Sequence, residues 1–574
     1  MKGKISARDV PATHSGKRQL VAAIGASVTT LAALCSAAFA GAPAASAAAA
    51  HQPGITYGGT LTAATNGSGP WSPVFNPFSP SYNYAFGFGA VYEPLYQYNA
   101  TTHKNTPWLA TAYRWGDKGK VIEFQIRKGV TWSNGKPLTP GDVAFTYELY
   151  NRIQKENGGT TGLVSAQVRG DWVVLTYSTS QYVNFYTIAM NVAIVPPFTF
   201  AHVADPLKFE DSHPIGTGPF VLSSFNTEYI IYKKNPHYWQ KGKPYINEVE
   251  DISASGNATM EALLISHRTD YSGVFTSDIF KTFVDRNPSR NIVYTPPDGT
   301  VSLALNLTNP MFQDLALRRA INLAVNRKTL DMIGESGAEP PASQSGLAGA
   351  ATTPYVLKQY RAPVGPDIPA ATADLTKAGY KLQGGKLFAP GSSSQVAFSL
   401  SFPSSYSDWL TDCSIIEQNL SQIGIAVTCN GLSYQEWSTD YLDSNFQATF
   451  DTQVGPLPYN EYDQVFGVPA GGLPAIGKPN NYTNVEHYDN PAAVAALAKL
   501  EVTNPANIVA QRQQVTLLQR IYTRDLPVIP LFDSTYHEDF VNGPLYGWPS
   551  YKNPYMCTFC NAYQEQILLG AHER

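Results

Sequence analysis

Two periodicities alternate along this chain, and they constrain its fold more than any single residue does. Val121–Arg127 reads VIEFQIR, apolar and polar in turn, the period of a half-buried strand. Ile55–Thr62, Trp172–Tyr177, Val301–Leu307 and Ile425–Cys429 predict further strands, and Val221–Lys233 predicts strand, turn and strand. Between them lie helical patterns. Leu138–Ile153 opens on Thr139, Pro140 and Asp142, which are a cap, a first-turn proline and a first-turn acid. Asp314–Thr329 places Leu317, Ala320, Ile321 and Ala324 on one stripe. Asp408–Ile423 stops at Gly424, Gln513–Asp525 stops before Pro527, and Ala370–Ala378 is a short helix in a Gly/Pro/Ser-rich excursion over 335–400. Phe86–Tyr98 predicts a helix broken at Pro94. Strands alternating with helices give an α/β or α+β chain built from βα units.

Not all 574 residues are expected in that fold. Lys2, Lys4, Arg8, Lys17 and Arg18 precede an apolar run from Leu20 to Ala40, and Ala38-Phe39-Ala40 and Ala45-Ser46-Ala47 follow as small-x-small sites. This is the layout of a secretory signal peptide over 1–47, cleaved after Ala40 or Ala47. Cys35 lies within the apolar run, but Ala32 and Leu34 depart from the lipoprotein pattern. The chain is therefore expected on the outer side of the cytoplasmic membrane, extracellular or in the cell envelope. It would meet that membrane through a partner or through an anchor. No later stretch is apolar enough to span a bilayer.

The leader removes five bases and one acid from 40 and 44, leaving 35 and 43 and a net charge of −8. An acidic chain without basic runs excludes nucleic acid as the natural partner. The length left after the leader exceeds what one core supports, so more than one domain is expected. Four cysteines remain: Cys413, Cys429, Cys557 and Cys560. In an exported chain they read as disulfides, and proximity favours Cys413 with Cys429 and Cys557 with Cys560. A single C-x-x-C without further ligands is a weak zinc signal.

Catalytic signatures are missing. There is no Gly-x-Ser-x-Gly elbow, His-Glu-x-x-His, Walker loop or EF-hand loop, and the histidines lack metal-ligand spacing. Glu436 and Asp440 stand one helical turn apart, and a solvated face explains them more simply than glycosidase chemistry. No catalytic residue, metal site or cofactor is assigned.

Three segments carry a specific resemblance. Within 107–150, Arg127, Gly129, Val130, Trp132, Ser133, Asn134, Gly135, Pro137, Thr139, Asp142 and Val143 follow one motif. Within 214–239 stand Gly216-Thr217-Gly218-Pro219-Phe220 and Asn235-Pro236-His237-Tyr238-Trp239. Within 303–330 stand Asn306 and LRRAINLAVNRKTL. In type, order and spacing these resemble the family 5 extracellular solute-binding proteins, the oligopeptide, dipeptide and nickel receptors of ABC importers. The resemblance implies a two-lobed periplasmic-binding-protein-like α/β fold (type II, cluster C) with an extra domain in the first lobe. Residues 48–94, 212–305 and 537–574 would form lobe 1, 95–211 the extra domain and 306–536 lobe 2. It also implies a monomer that encloses a small-molecule or peptide ligand and delivers it to the permease subunits of an ABC importer. The motifs themselves read as backbone turns, hence as signatures of fold.

The ligand residues implied are Trp437, Asp451, Gly455, Tyr459, Asn460 and Glu461, with Tyr82, Asn83 and Tyr84 in the loop after the first strand. Gln435-Glu436-Trp437, Ala448-Thr449-Phe450-Asp451 and Tyr459-Asn460-Glu461 match segments of the peptide binders. Pro458 stands where those binders carry the Asp that pairs with the peptide's α-amino group. Asp451 or Glu461 would then replace it. Without an ammonium partner, an oligosaccharide stacked on aromatic faces is the alternative ligand. A secreted hydrolase and a signalling receptor are the competing functions.

Overall fold

In the computed structural model of this chain the structure describes residues 55–66, 69–79, 86–153, 160–273, 275–469, 471–480, 483–555, 562 and 564–574. The expected leader, Tyr82, Asn83, Tyr84, Cys557 and Cys560 lie outside the described residues.

The α/β expectation holds, with three main sheets. A seven-stranded sheet runs in the order Asn291–Tyr294, Glu538–Val541, Tyr271–Ser272, Thr60–Asn66, Glu248–Ser253, Tyr229–Lys234, Phe220–Phe225. A five-stranded sheet runs Ala426–Leu432, Ala397–Pro403, Ala448–Val454, Pro297–Leu305, Val528–Thr535. A four-stranded antiparallel sheet spans Ala110–Gly116, Val121–Ile126, Trp172–Tyr177 and Leu163–Arg169. One apolar core, with Phe124, Trp132, Tyr147, Tyr232 and Phe540, joins the seven- and four-stranded sheets. The five-stranded sheet has its own, around Leu303, Ile321, Leu400, Ile416 and Phe450, with a further cluster around Tyr462, Phe466, Leu518 and Tyr522.

The chain passes between the two larger sheets at Thr295–Pro296 and at Tyr536–His537. Tyr536 N–H donates to Pro296 O at 3.0 Å, so the two passages are tied side by side. Pro297–Leu305 already belongs to the five-stranded sheet, so the sheet changes before the expected division after Leu305.

The motif residues hold these parts together. Gly135 takes φ 81° in the turn where Trp132 N–H donates to Lys136 O at 2.8 Å. Ser133 N–H donates to Gly216 O at 2.8 Å, and Thr131 Oγ1 donates to His237 O at 2.6 Å, so the first and second motifs touch. A Cβ on Gly216 would meet Val91 O at 1.8 Å, so only glycine permits that approach. Thr139 and Asp142 form a reciprocal cap: Asp142 N–H donates to Thr139 Oγ1 at 3.3 Å, and Thr139 N–H to Asp142 Oδ2 at 3.0 Å. Arg327 of the third motif is 2% exposed and donates to Pro530 O at 2.7 Å, Asn322 O at 3.0 Å and Val364 O at 3.0 Å.

Three element expectations need correction. The first strand is Thr60–Asn66 rather than Ile55–Thr62, because Gly58 and Gly59 hold φ 133° and 79°, outside the range of a strand. Phe86–Tyr98 is no helix. Gly87–Val91 is an irregular turn with Gly89 at φ 97°, and Tyr96–Asn99 is a strand paired with Lys104–Pro107. The Asp314–Thr329 helix ends at Ala324, where Val325 turns extended so that Arg327 can reach its carbonyls. No helix among the described residues is long and apolar enough to cross a membrane.

Candidate functional site

Four strands end at one place. Glu248–Ser253 leads into Ser255, Gly256 and Asn257, and Tyr271–Ser272 into Gly273 and Phe275. Ala397–Pro403 leads into Ser405, Tyr406, Ser407 and Asp408, and Ala426–Leu432 into Tyr434 and Gln435. These residues enclose a cavity of about 1060 Å³ between the seven- and five-stranded sheets. The carboxyl ends of strands are where open α/β sheets leave crevices, because side chains there are not consumed in packing. The volume reaches the upper end of ordinary small-molecule pockets and has room for an extended solute.

The two faces of the cavity touch. Asn257 Nδ2 donates to Ser407 Oγ at 3.3 Å, and nearby Asp278 N–H donates to Ser336 Oγ at 2.8 Å. One wall is aromatic. Tyr406 packs edge-on against Trp409 at 5.3 Å, and Tyr434 lies 5.8 Å from Trp437. Trp409 and Trp437 are 5.8 Å apart, and Tyr406 and Tyr434 are 6.4 Å apart. Phe275 stands 5.2 Å from His537.

The electrostatics are one-sided. Among the described residues the lining contains Glu261 and Asp408 and no Lys, Arg or His. Asp408, in the first turn of the Ser407–Ser421 helix, is pushed up to about 6 by burial. One helical turn on, Asp412 is 0% exposed and burial pushes it up to about 8. Glu335 is raised by burial and then by Asp412, Glu339 and Asp408. No N–H or hydroxyl donor reaches either oxygen of Asp412. The group facing it is the Glu335 carboxyl, so a proton retained by burial serves both. Glu339 accepts from Thr535 N–H at 2.8 Å and faces His537 Nε2 at 3.9 Å. Burial lowers His537 to about 4, leaving it neutral. Among the described residues no group of three His, Cys, Asp or Glu side chains is arranged to hold a metal ion.

The residues expected from the sequence are divided. Trp437 joins the aromatic wall through Tyr434; its ring stacks on Tyr441 at 5.3 Å, and Nε1 donates to Thr449 Oγ1 at 3.0 Å. Asp451 is 2% exposed and accepts from Tyr441 Oη at 2.5 Å and Gln453 Nε2 at 2.5 Å, so it is spoken for inside the five-stranded sheet. Glu461 is 1% exposed and accepts from Ala348 N–H at 2.9 Å. Gly455, at φ 146°, admits the Asn460 side chain where a Cβ would come within 2.3 Å of it, and Tyr459 packs in the cluster of Tyr462 and Phe466. None of these last five lines the 1060 Å³ cavity. Sequence reasoning did not single out Glu261, Phe275, Tyr406 and Asp408, which line this cavity. One signal was available: Asp408 and Asp412 stand on the same stripe as Ile416 and Leu420, and acids on a buried stripe are out of place.

Residues 104–467 match the bacterial extracellular solute-binding proteins, family 5 Middle. The nickel-binding periplasmic protein of Escherichia coli (strain K12) is 27% identical over 67% of this chain and 74% of its own length. The periplasmic oligopeptide-binding protein of an oligopeptide ABC transporter of Thermotoga maritima superposes with a TM-score of 0.81 at 22% identity, covering 90% of this chain and 99% of that one. Its mannohexaose-bound structure superposes with a TM-score of 0.77 at 22% identity, covering 90% and 98%. At such identities the structural likeness establishes the fold.

Proposed function

Since this chain belongs to the bacterial extracellular solute-binding proteins of family 5, we propose that it is the receptor of an ABC importer, capturing an oligopeptide or a similar small polar solute and handing it to the permease. The cavity of about 1060 Å³ carries this reading, because among the described residues it lies between two sheets joined by two adjacent passages. Such a junction lets two bodies hinge while each keeps its own core. On this reading 48–94 with 212–294 and 538–574 form one lobe, 95–211 an extra domain and 297–535 the second lobe. The solute enters the open form and is enclosed on closure, when Asn257 meets Ser407. The mature chain acts outside the cytoplasmic membrane as a monomer and binds without turnover. Trp437 buttresses the aromatic wall, and Asp451 and Glu461 brace the second lobe rather than meeting the solute's ammonium.

An oligosaccharide is the second reading. Tyr406 and Tyr434 offer faces on which sugars stack, and Pro458 removes the acid expected for a peptide terminus.

A thermal-shift screen of the purified chain against di- to octapeptides, manno-, cello- and xylo-oligosaccharides and nickel chelates tests both. A binder of the native state raises the melting temperature by mass action. A rise with peptides supports the first reading and a rise with sugars alone the second. Silence throughout, or release of cleaved product, sinks the receptor reading.

A further inference from the structure

Resting on the reading of this cavity as the solute site, we infer that it selects solutes carrying an organic cation, an ammonium or guanidinium held between Asp408, Glu261 and the faces of Tyr406, Tyr434 and Phe275. The lining itself points to this charge. Among the described residues two acids, Asp408 and Glu261, line the space and no basic residue does. Oδ1 of Asp408 is buried without a hydrogen-bond donor, although the backbone N–H groups of Trp409 and Asp408 reach the carboxyl group. Behind it, Asp412 is 0% exposed with neither oxygen reached by an N–H or hydroxyl donor, and Glu335 is 1% exposed with Oε1 in the same condition. Among the described residues, the one ion pair made by any of Glu335, Glu339, Asp408 and Asp412 is Glu339 with His537, which is neutral. Buried acids in that state hold protons until a cation arrives. The three aromatic faces suit an organic cation, whose charge interacts with a ring quadrupole.

Proton release follows from the same geometry. The titratable groups that act on Asp408 are Asp412 from its own helix, Glu335 and Glu339 from the segment after Leu330–Gly334 and Tyr406 beside it; His537 faces Glu339 behind them, and Glu261 lines the cavity from the other sheet. Acids outnumber the single base, which is neutral. A bound cation therefore draws carboxyl groups into the ionised form, releases protons and binds more tightly as pH rises from about 5.5 to about 7.5.

The test uses two scaffolds, each in a cationic and a neutral form. These are a blocked Ala-Lys-Ala against a blocked Ala-Gln-Ala peptide, and glucosamine tetraose against cellotetraose. Calorimetry on the full chain is run at both pH values and in buffers of different ionisation enthalpy. The expected result is a cationic member that binds about tenfold or more tighter than its neutral partner. Protons should be released on binding, and the preference should be lost in Asp408→Asn and weakened in Glu261→Gln. The melting temperature of each variant without solute shows that it folds. Equal or better binding of the neutral members overturns the inference and leaves the receptor reading standing. So does a neutral binder from the wider screen with both cations silent. Silence from every compound overturns both.

Discussion

Two pairs of buried carboxyl groups sit in this protein under opposite conditions. Glu93 and Glu565 are both 0% exposed and within hydrogen-bonding reach of each other. Neutral donors surround them. Trp108 Nε1 donates to Glu93 at 2.9 Å and to Glu565 at 3.0 Å, Trp239 Nε1 to Glu93 at 3.0 Å, Tyr238 Oη to Glu93 at 3.1 Å, and Gln97 donates to Glu565. Glu335 and Asp412 are as deeply buried, yet no donor reaches Oε1 of Glu335 or either oxygen of Asp412. The first pair is a satisfied network that locks Trp108 and Trp239 of the motif region, and such networks rigidify a core. The second holds unsatisfied acceptors beside a cavity, a cost to the empty protein. The difference lies in the donors that neighbouring elements bring to each pair.

The comparison breaks most easily at Glu93. Glu93→Leu strips the acceptor from Trp239 and Tyr238, leaves Trp108 only Glu565, and is expected to lower unfolding free energy by about 3–5 kcal/mol in denaturant titrations. A loss under about 1 kcal/mol would put both pairs in one class. Next in size is the Cys413–Cys429 disulfide, whose sequence separation is 16 and which ties the helix carrying Asp408 and Asp412 to the strand Ala426–Leu432. Replacing both cysteines by serine is expected to cost about 3 kcal/mol. Amide exchange should quicken in Ser407–Ser421 and not in Pro140–Ile153; uniform quickening would count against a local role.

A pH series sharpens the contrast further. Burial raises Asp412 from 3.8 to about 8 in the folded chain. The folded state therefore binds more protons, so stability is full below the unfolded value and is lost as pH climbs from about 4 toward about 8. The slope is at most about 1.4 kcal/mol per pH unit per group. Melting curves of the empty protein across that window should fall, and Asp412→Asn should flatten the fall. Near neutral pH the same substitution is expected to be stabilising, by about 1–4 kcal/mol, where like-charge crowding is relieved. A loss there would mean that the acid holds the fold after all.

Much of the architecture was legible in local pattern. The period-two run at Val121–Ile126 and the Thr139–Asp142 cap are local, and the structure places them where the sequence does. Pattern failed at Phe86–Tyr98, where the apolar residues suit a helix but the close approach of Gly216 and Gly218 to Val91 and Ala90 imposes a turn. The cavity was the least legible part. Matching of ligand segments led to Asp451 and Glu461, whose hydrogen bonds turn them inward, whereas Ser405–Asp408 carries no motif.

By itself the sequence determined what depends on neighbours a few residues away: strand and helix periods, caps, the glycines of the motif turns, the closely spaced Cys413 and Cys429, and the absence of basic runs. Tertiary structure alone decided which acids meet. Glu335 and Glu261 come from segments far in the chain from the helix of Asp408 and Asp412; the fold packs Glu335 against that helix and sets Glu261 in the lining of the same cavity as Asp408. Whether a carboxyl group is satisfied or left waiting is set by donors on other elements, and no local pattern encodes those distances.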